Sequence, residues 1–268
     1  MSHSGSPFPL SPAADAPLPS GMVTVDMVWP DQSNHHGTLF GGAALSILDR
    51  MAFIGASKAL RGAVVTASVG KLEFLAPAPA GHLVECQVDV VRRGNRSATL
   101  AARLVAEDLL SGARTDCLVG EFVMVRRADE PLTDAAAGAG RPAPPASSPL
   151  AAPPSAATGM ARAVVAEIVF PGHANHRHML HGGPAMEWMA KAGFVAATRQ
   201  VRQPLVMASS EKLDFRAPAY VGDIVDVTAS VVAVGRRSVR VQMDMWSESP
   251  ATGERRHCTT GQFVYVTV

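Results

Sequence analysis

The sequence predicts an α+β chain built from two tandem copies of one small domain. Three observations predict it. The chain repeats itself at a fixed offset of 141 residues. A stretch rich in proline and alanine separates the copies. Within a copy the pattern runs strand, helix, then four strands.

The offset is set by Lys71-Leu72-Glu73-Phe74 against Lys212-Leu213-Asp214-Phe215. It also places Asn34 on Asn175, Gly41-Gly42 on Gly182-Gly183, and Phe53 on Phe194. Ala67-Ser68 falls on Ala208-Ser209, Ala76-Pro77 on Ala217-Pro218, and Gly81 on Gly222. Further on, Gly94 meets Gly235, Arg96-Ser97 meets Arg237-Ser238, Cys117 meets Cys258 and Gly120 meets Gly261. No gap is needed from Asn34 to Val125. One register held over that length is duplication, and two copies suggest a pseudo-twofold pair.

The elements of the first copy follow in order. Met22 to Trp29 is β-branched and partly alternating, which reads as a strand. Asp31 to Gly37 is a polar loop. From Gly41 to about Leu60 the period becomes helical, with Leu45, Leu48, Ala52, Ala56 and Ala59 on one side. Small residues such as Ala43, Ala44, Gly55 and Ala56 let this helix approach a sheet closely. Four strands then span about Ala63–Leu75, His82–Val91, Ser97–Glu107 and Arg114–Arg126. The turns between them carry Pro77 to Gly81, Arg93-Gly94-Asn95 and Leu110-Ser111-Gly112. A long central helix wrapped by a five-stranded antiparallel sheet is the simplest packing for this order.

Residues 1–21 and 129–160 are expected to form a tail and a linker, leaving domains at 22–128 and 161–268. Their Pro-, Ala- and Ser-rich composition buries too little apolar surface to offset ordering entropy. Hydrophobic residues make up 47% of the chain, enough for a substantial core. A net charge of +1 gives no case for nucleic acid or an anionic membrane as a partner. No apolar run approaches the ~20 residues needed to span a bilayer. Cys86, Cys117 and Cys258 fit neither a zinc motif nor an even disulfide set. The N-terminal residues lack the pattern of a signal peptide, so a cytoplasmic protein is expected.

Several segments together carry a family pattern. They are Asn34-x-x-Gly37-x-x-x-Gly41-Gly42 with Asp49 on the helix, Val65-Thr66-Ala67-Ser68, Phe74-x-Ala76-Pro77-x-x-x-Gly81, and Gly94-Asn95-Arg96-Ser97. Each is weak alone, but their joint order, seen twice, resembles hot-dog-fold acyl-CoA thioesterases. The tandem arrangement is similar to double hot-dog acyl-CoA hydrolases. The resemblance covers about 22–127 and 161–268.

It implies a tandem hot-dog fold whose two sheets join side by side. Active sites would form at the seams. The Asn and the Gly-Gly helix start would come from one hot dog and the carboxylate from the other. It implies acyl-CoA as substrate, no cofactor beyond the CoA of the substrate, and further assembly, with a trimer of double hot dogs as one form. Hydrolysis develops negative charge on the thioester oxygen, and backbone N–H groups at a glycine-led helix start can stabilise it. Asp49 lies about two turns into its helix among Leu45, Leu48, Ala52 and Phe53, a setting that should raise its pKa and suit a base or nucleophile.

The copies differ at that position, because the offset sets Asp49 against Ala190. One seam is therefore expected to be competent, with Asp49, Asn175 and Gly183 in the catalytic roles and His181 and Gly182 at the substrate. The other, with Asn34, Phe40, Gly42 and Ala190, is expected to be degenerate. Glu187, one helical turn before Ala190, is a poor substitute. Arg96, Ser97, Arg237 and Ser238 are candidates for the substrate's phosphates, with plain solvated turns as the other reading of the arginines. His173, His176, His178 and His181 are dense, but lack the cysteine or carboxylate to complete a zinc site, so no metal is expected. Lys71 and Lys212 are expected to form cross-strand pairs. The alternative function is an acyl-CoA-binding or regulatory module that does not hydrolyse.

Overall fold

The computed structural model describes residues 21–127 and 159–268. The expected tail and linker therefore lie, apart from their edges, outside the described residues.

The first copy runs β1 (Met22–Met27), α1 (Gly41–Leu60), β2 (Val64–Val69), β3 (Leu72–Phe74), β4 (Leu83–Arg93), β5 (Ser97–Glu107) and β6 (Arg114–Arg126). The second runs β7 (Arg162–Ile168), α2 (Gly182–Val201), β8 (Leu205–Ser210), β9 (Leu213–Asp214), β10 (Ile224–Val234), β11 (Ser238–Glu248) and β12 (Arg255–Thr267). All pairings are antiparallel, and the two sheets join into one of 12 strands. This is the tandem hot-dog fold that the sequence leads one to expect.

One element differs in detail. The strand expected over Ala63–Leu75 is broken at Gly70 and Lys71 into β2 and β3. The break is what joins the copies. β3 pairs with β6 on one side and crosses to β8 on the other, Leu72 opposite Ser210. β2 likewise reaches β9, with Ser68 opposite Asp214. Lys71, at the break, forms an ion pair along its own chain with Glu73, as Lys212 does with Asp214, and Glu211 across the seam adds a further attraction on Lys71.

The repeat also explains Gly120 and Gly261. Leu72 lies over the first and Leu213 over the second, so close that an added Cβ would sit 2.0 and 2.1 Å from the leucine Cδ2. Only glycine leaves room there.

Each helix packs one apolar stripe on its own sheet. In α1, Leu45, Leu48, Ala52 and Ala56 are fully buried, in one core with Leu100, Phe122 and Met124. The small residues on another face let the two helices meet. A Cβ on Gly42 would be 3.0 Å from the Glu187 Cα, and one on Gly183 would be 3.0 Å from the Ser46 Cα. The helices thus touch through their N-terminal halves, which sets each helix start against the body of the other helix. Both helices end on an arginine in the left-handed region, Arg61 and Arg202.

Candidate active site at one seam

Asp49 sits on α1 with 1% of its surface exposed. Its carboxylate is held from two elements. Thr66 on β2 donates its hydroxyl to Oδ1 at 2.7 Å. The backbone N–H of Gly183, on α2 of the other copy, donates to Oδ2 at 2.7 Å. Burial pushes the Asp49 pKa up to about 6, while these two hydrogen bonds pull it down.

The Gly183 donor exists because α2 starts there without a side-chain cap. Its neighbour Gly182 has a separate reason to be glycine. A Cβ at that position would sit 2.8 Å from both Asp49 Oδ1 and Thr66 Oγ1.

A cleft of about 130 Å³ opens beside this pair. Thr66 and Arg127 line it from the first copy; Asn175, His181, Gly182 and Arg216 line it from the second. Asn175 is 8% exposed, and its Oδ1 accepts from the backbone N–H groups of Arg177 (2.9 Å) and Met179 (3.2 Å). Asn34 makes the same loop, accepting from His36 and Thr38. There, however, its Nδ2 also donates to the Thr38 hydroxyl at 3.0 Å. The counterpart of Thr38 is Met179, which has no hydroxyl to accept from the Asn175 side chain, and Asn175 is among the residues that line the cleft. His181 packs edge-on against Phe53, with ring centres 4.8 Å apart. Burial, helped by the nearby Arg50, lowers its pKa, so it stands neutral at physiological pH.

The mirror seam is built differently. Gly42 there faces Ala190, 3.1 Å from where a Cβ would lie. Met207 replaces Thr66, and its Cε would sit 2.6 Å from a Cβ on Gly41. Acid and hydroxyl are both gone. The Ala190 carbonyl instead accepts from the buried Tyr265 hydroxyl at 2.8 Å. Glu187 is half-buried in a separate cleft with Asn34 and Phe40, and burial raises its pKa.

Thr66 is the residue that sequence reasoning did not single out. The signal was present, because Val65-Thr66-Ala67-Ser68 meets Val206-Met207-Ala208-Ser209 with only the second residue changed. The turn residues Arg96, Ser97, Arg237 and Ser238 are not brought into the cleft. Both arginines are exposed; Arg237 donates to the Thr267 carbonyl at 3.2 Å, and the serine carbonyls close their turns on Gly94 and Gly235. Arg96 lies near the rim, since its carbonyl accepts from Arg126, next to the cleft residue Arg127. Among the described residues no three His, Cys, Asp or Glu side chains converge as metal ligands, and no helix is long and apolar enough to cross a membrane.

The chain is 25% identical over 99% of its length to acyl-coenzyme A thioesterase 11 of Mus musculus, covering 50% of that protein. It is 39% identical to a crystal structure of an acyl-CoA hydrolase from Agrobacterium tumefaciens, covering 93% of this chain and 95% of that one, though with a TM-score of 0.39 the overlay is too loose to bear on architecture. A protein of Novosphingobium aromaticivorans, assigned provisionally as a thioesterase, shares the fold at 16% identity, with a TM-score of 0.61 over 92% of this chain and 95% of that one. The chain spans about half the length of the curated relatives it matches. The thioesterase superfamily model matches residues 36–113 and 178–254, one match in each copy and more than half of the chain together, and the chain belongs to that family.

Proposed function

We propose that this protein hydrolyses acyl-CoA thioesters to a carboxylic acid and CoA at a single seam. The observation that carries the reading is the buried Asp49 carboxylate, held by a backbone amide of the other copy beside a cleft. The relatives named as acyl-CoA thioesterases support the substrate class.

The Asn175 amide offers a donor to the thioester carbonyl or to the attacking water. Asp49, poised near 6, takes a proton from that water as its oxygen attacks the carbonyl carbon. In the resting site the Gly183 N–H is engaged by Asp49. A protonated carboxyl is a weaker acceptor, so proton transfer releases that N–H toward the developing oxyanion. One such donor is worth ~3–4 kcal/mol of barrier. Collapse then breaks the carbon–sulfur bond, and the proton on Asp49 returns to the leaving thiolate. Arg127 and Arg216 at the cleft suit the phosphates of CoA.

Release of CoA thiol from a series of acyl-CoAs tests the proposal. The natural protein is expected to release thiol, and Asp49→Ala to lose about 10³-fold in kcat, within the range for a removed general base. Binding of acyl-CoA without release by the natural protein would instead establish the non-hydrolytic module.

A further inference from the structure

We propose that Trp188, braced by His173, closes the acyl side of the competent seam and restricts it to short acyl groups. The inference rests on the hydrolytic reading above, and it comes from laying one copy on the other.

In the first copy, the loop before Asn34 stands off the first half of α1. It leaves a cleft of about 390 Å³ among Gln32, Asn34, Phe40 and Ile47, with Glu187 and Phe194 facing from α2. In the second copy His173 stands where Gln32 does, and Trp188 where Ile47 does. These two rings meet edge to face with centres 5.2 Å apart, and Phe170 adds a third ring 6.0 Å from His173. Trp188 is 7% exposed. An indole and an imidazole thus stand where Ile47 and Gln32 line the open cleft.

The two rings stand next to the loop that leads into the α2 start, as Gln32 and Ile47 do at the start of α1. The His173 carbonyl accepts the backbone N–H of His181, the residue before Gly182 and Gly183. A thioester bound at Gly183 has two arms. The arm carrying phosphates belongs on the side of Asn175 where Arg127 and Arg216 lie. The acyl arm then points to the other side of Asn175, into Trp188 and His173. An interior ring leaves little slack, because packed protein does not yield easily to extra methylenes.

The test is kcat/KM for acyl-CoAs from acetyl to palmitoyl, measured on the natural protein, Trp188→Ile and His173→Gln. Each variant copies the residue that the same fold accepts in its first copy, and a thermal unfolding midpoint checks that each is folded. The natural protein is expected to prefer chains of about six carbons or fewer, with kcat/KM falling about tenfold or more beyond that. Trp188→Ile should raise octanoyl relative to butyryl by about tenfold, and His173→Gln should shift the profile the same way by less. A natural protein that takes octanoyl- to palmitoyl-CoA as well as butyryl-CoA overturns the proposal. So does a folded Trp188→Ile, or in its place a folded His173→Gln, with an unchanged profile. Hydrolysis with an unaltered profile sinks this inference alone, whereas no hydrolysis at any length sinks the hydrolytic reading with it.

Discussion

At one seam Asp49 and Thr66 face Gly182 and Gly183; at the other Ala190 and Met207 face Gly41 and Gly42. Equivalent elements build both seams, so the difference bears on what a carboxylate demands. A buried Asp held at about 6 rather than 3.8 costs about 3 kcal/mol of stability once ionised. The sign follows from the raised value: stability is lost as pH rises from 3.8 to about 6 and stays lost above. At the mirror seam Ala190 carries no such burden, and a methionine packs in place of Thr66. A duplicated chain needs only one competent seam to keep an activity, which leaves the other open to apolar replacement.

The largest contrast is expected between the two asparagines. Asn175→Ala should lower kcat/KM by about 100-fold, the loss of a donor that acts on the reacting group. Asn34→Ala should leave it within about twofold, since the position that Asp49 holds at the working seam is Ala190 at this one. Steady-state thiol release on both variants measures this, and equal losses would refute a single working seam.

The glycines give the next contrast. Gly182→Ala pushes a methyl group to within 2.8 Å of Asp49 and Thr66, two groups fixed by hydrogen bonds, so the carboxylate must move. Activity should fall by roughly tenfold or more, because small misplacements in a catalytic pair are amplified. Gly41→Ala meets the Met207 Cε at 2.6 Å and its Cβ at 3.2 Å. The thioether end can swing away, which makes Met the more forgiving neighbour. Its effect should be confined to a lower unfolding midpoint, read by calorimetry, with kcat/KM nearly unchanged.

Much of this was legible in the residues. The offset of 141 exposed both copies, and helical periodicity placed α1 from Gly41 to Leu60. The change of Asp49 to Ala190 marked the asymmetry, because a polar residue kept amid apolar ones stands out once two copies are aligned. The break at Gly70 was not legible. Its cause is pairing across the seam to β8, a long-range contact that local pattern does not carry. That Asp49 meets the Gly183 helix start came from the resemblance; that this N–H donates directly to the carboxylate was hidden, since which acceptor a helix-start N–H finds depends on how closely two helices approach. Thr66 sat in view, but its role needs the distance to Asp49.

The smallest expected effect tests the electrostatics of the pair. If ionised Asp49 is the working form, kcat/KM should rise with pH through about 6 and level off above it. The Thr66 hydroxyl donates to the carboxylate and so favours the charged form. Thr66→Val keeps the shape but removes that donor. The midpoint should therefore move upward, by about one pH unit for a hydrogen bond to a charged group. At pH 8 the variant should stay within a few-fold of the natural protein, because Asp49 is ionised in both and Gly183 still holds it. Met207→Thr at the mirror seam adds the same hydroxyl where no carboxylate exists, and the pH profile should not move. A profile that stays fixed in Thr66→Val, or shifts downward, would mean that another group sets the midpoint and that Asp49 is not the base.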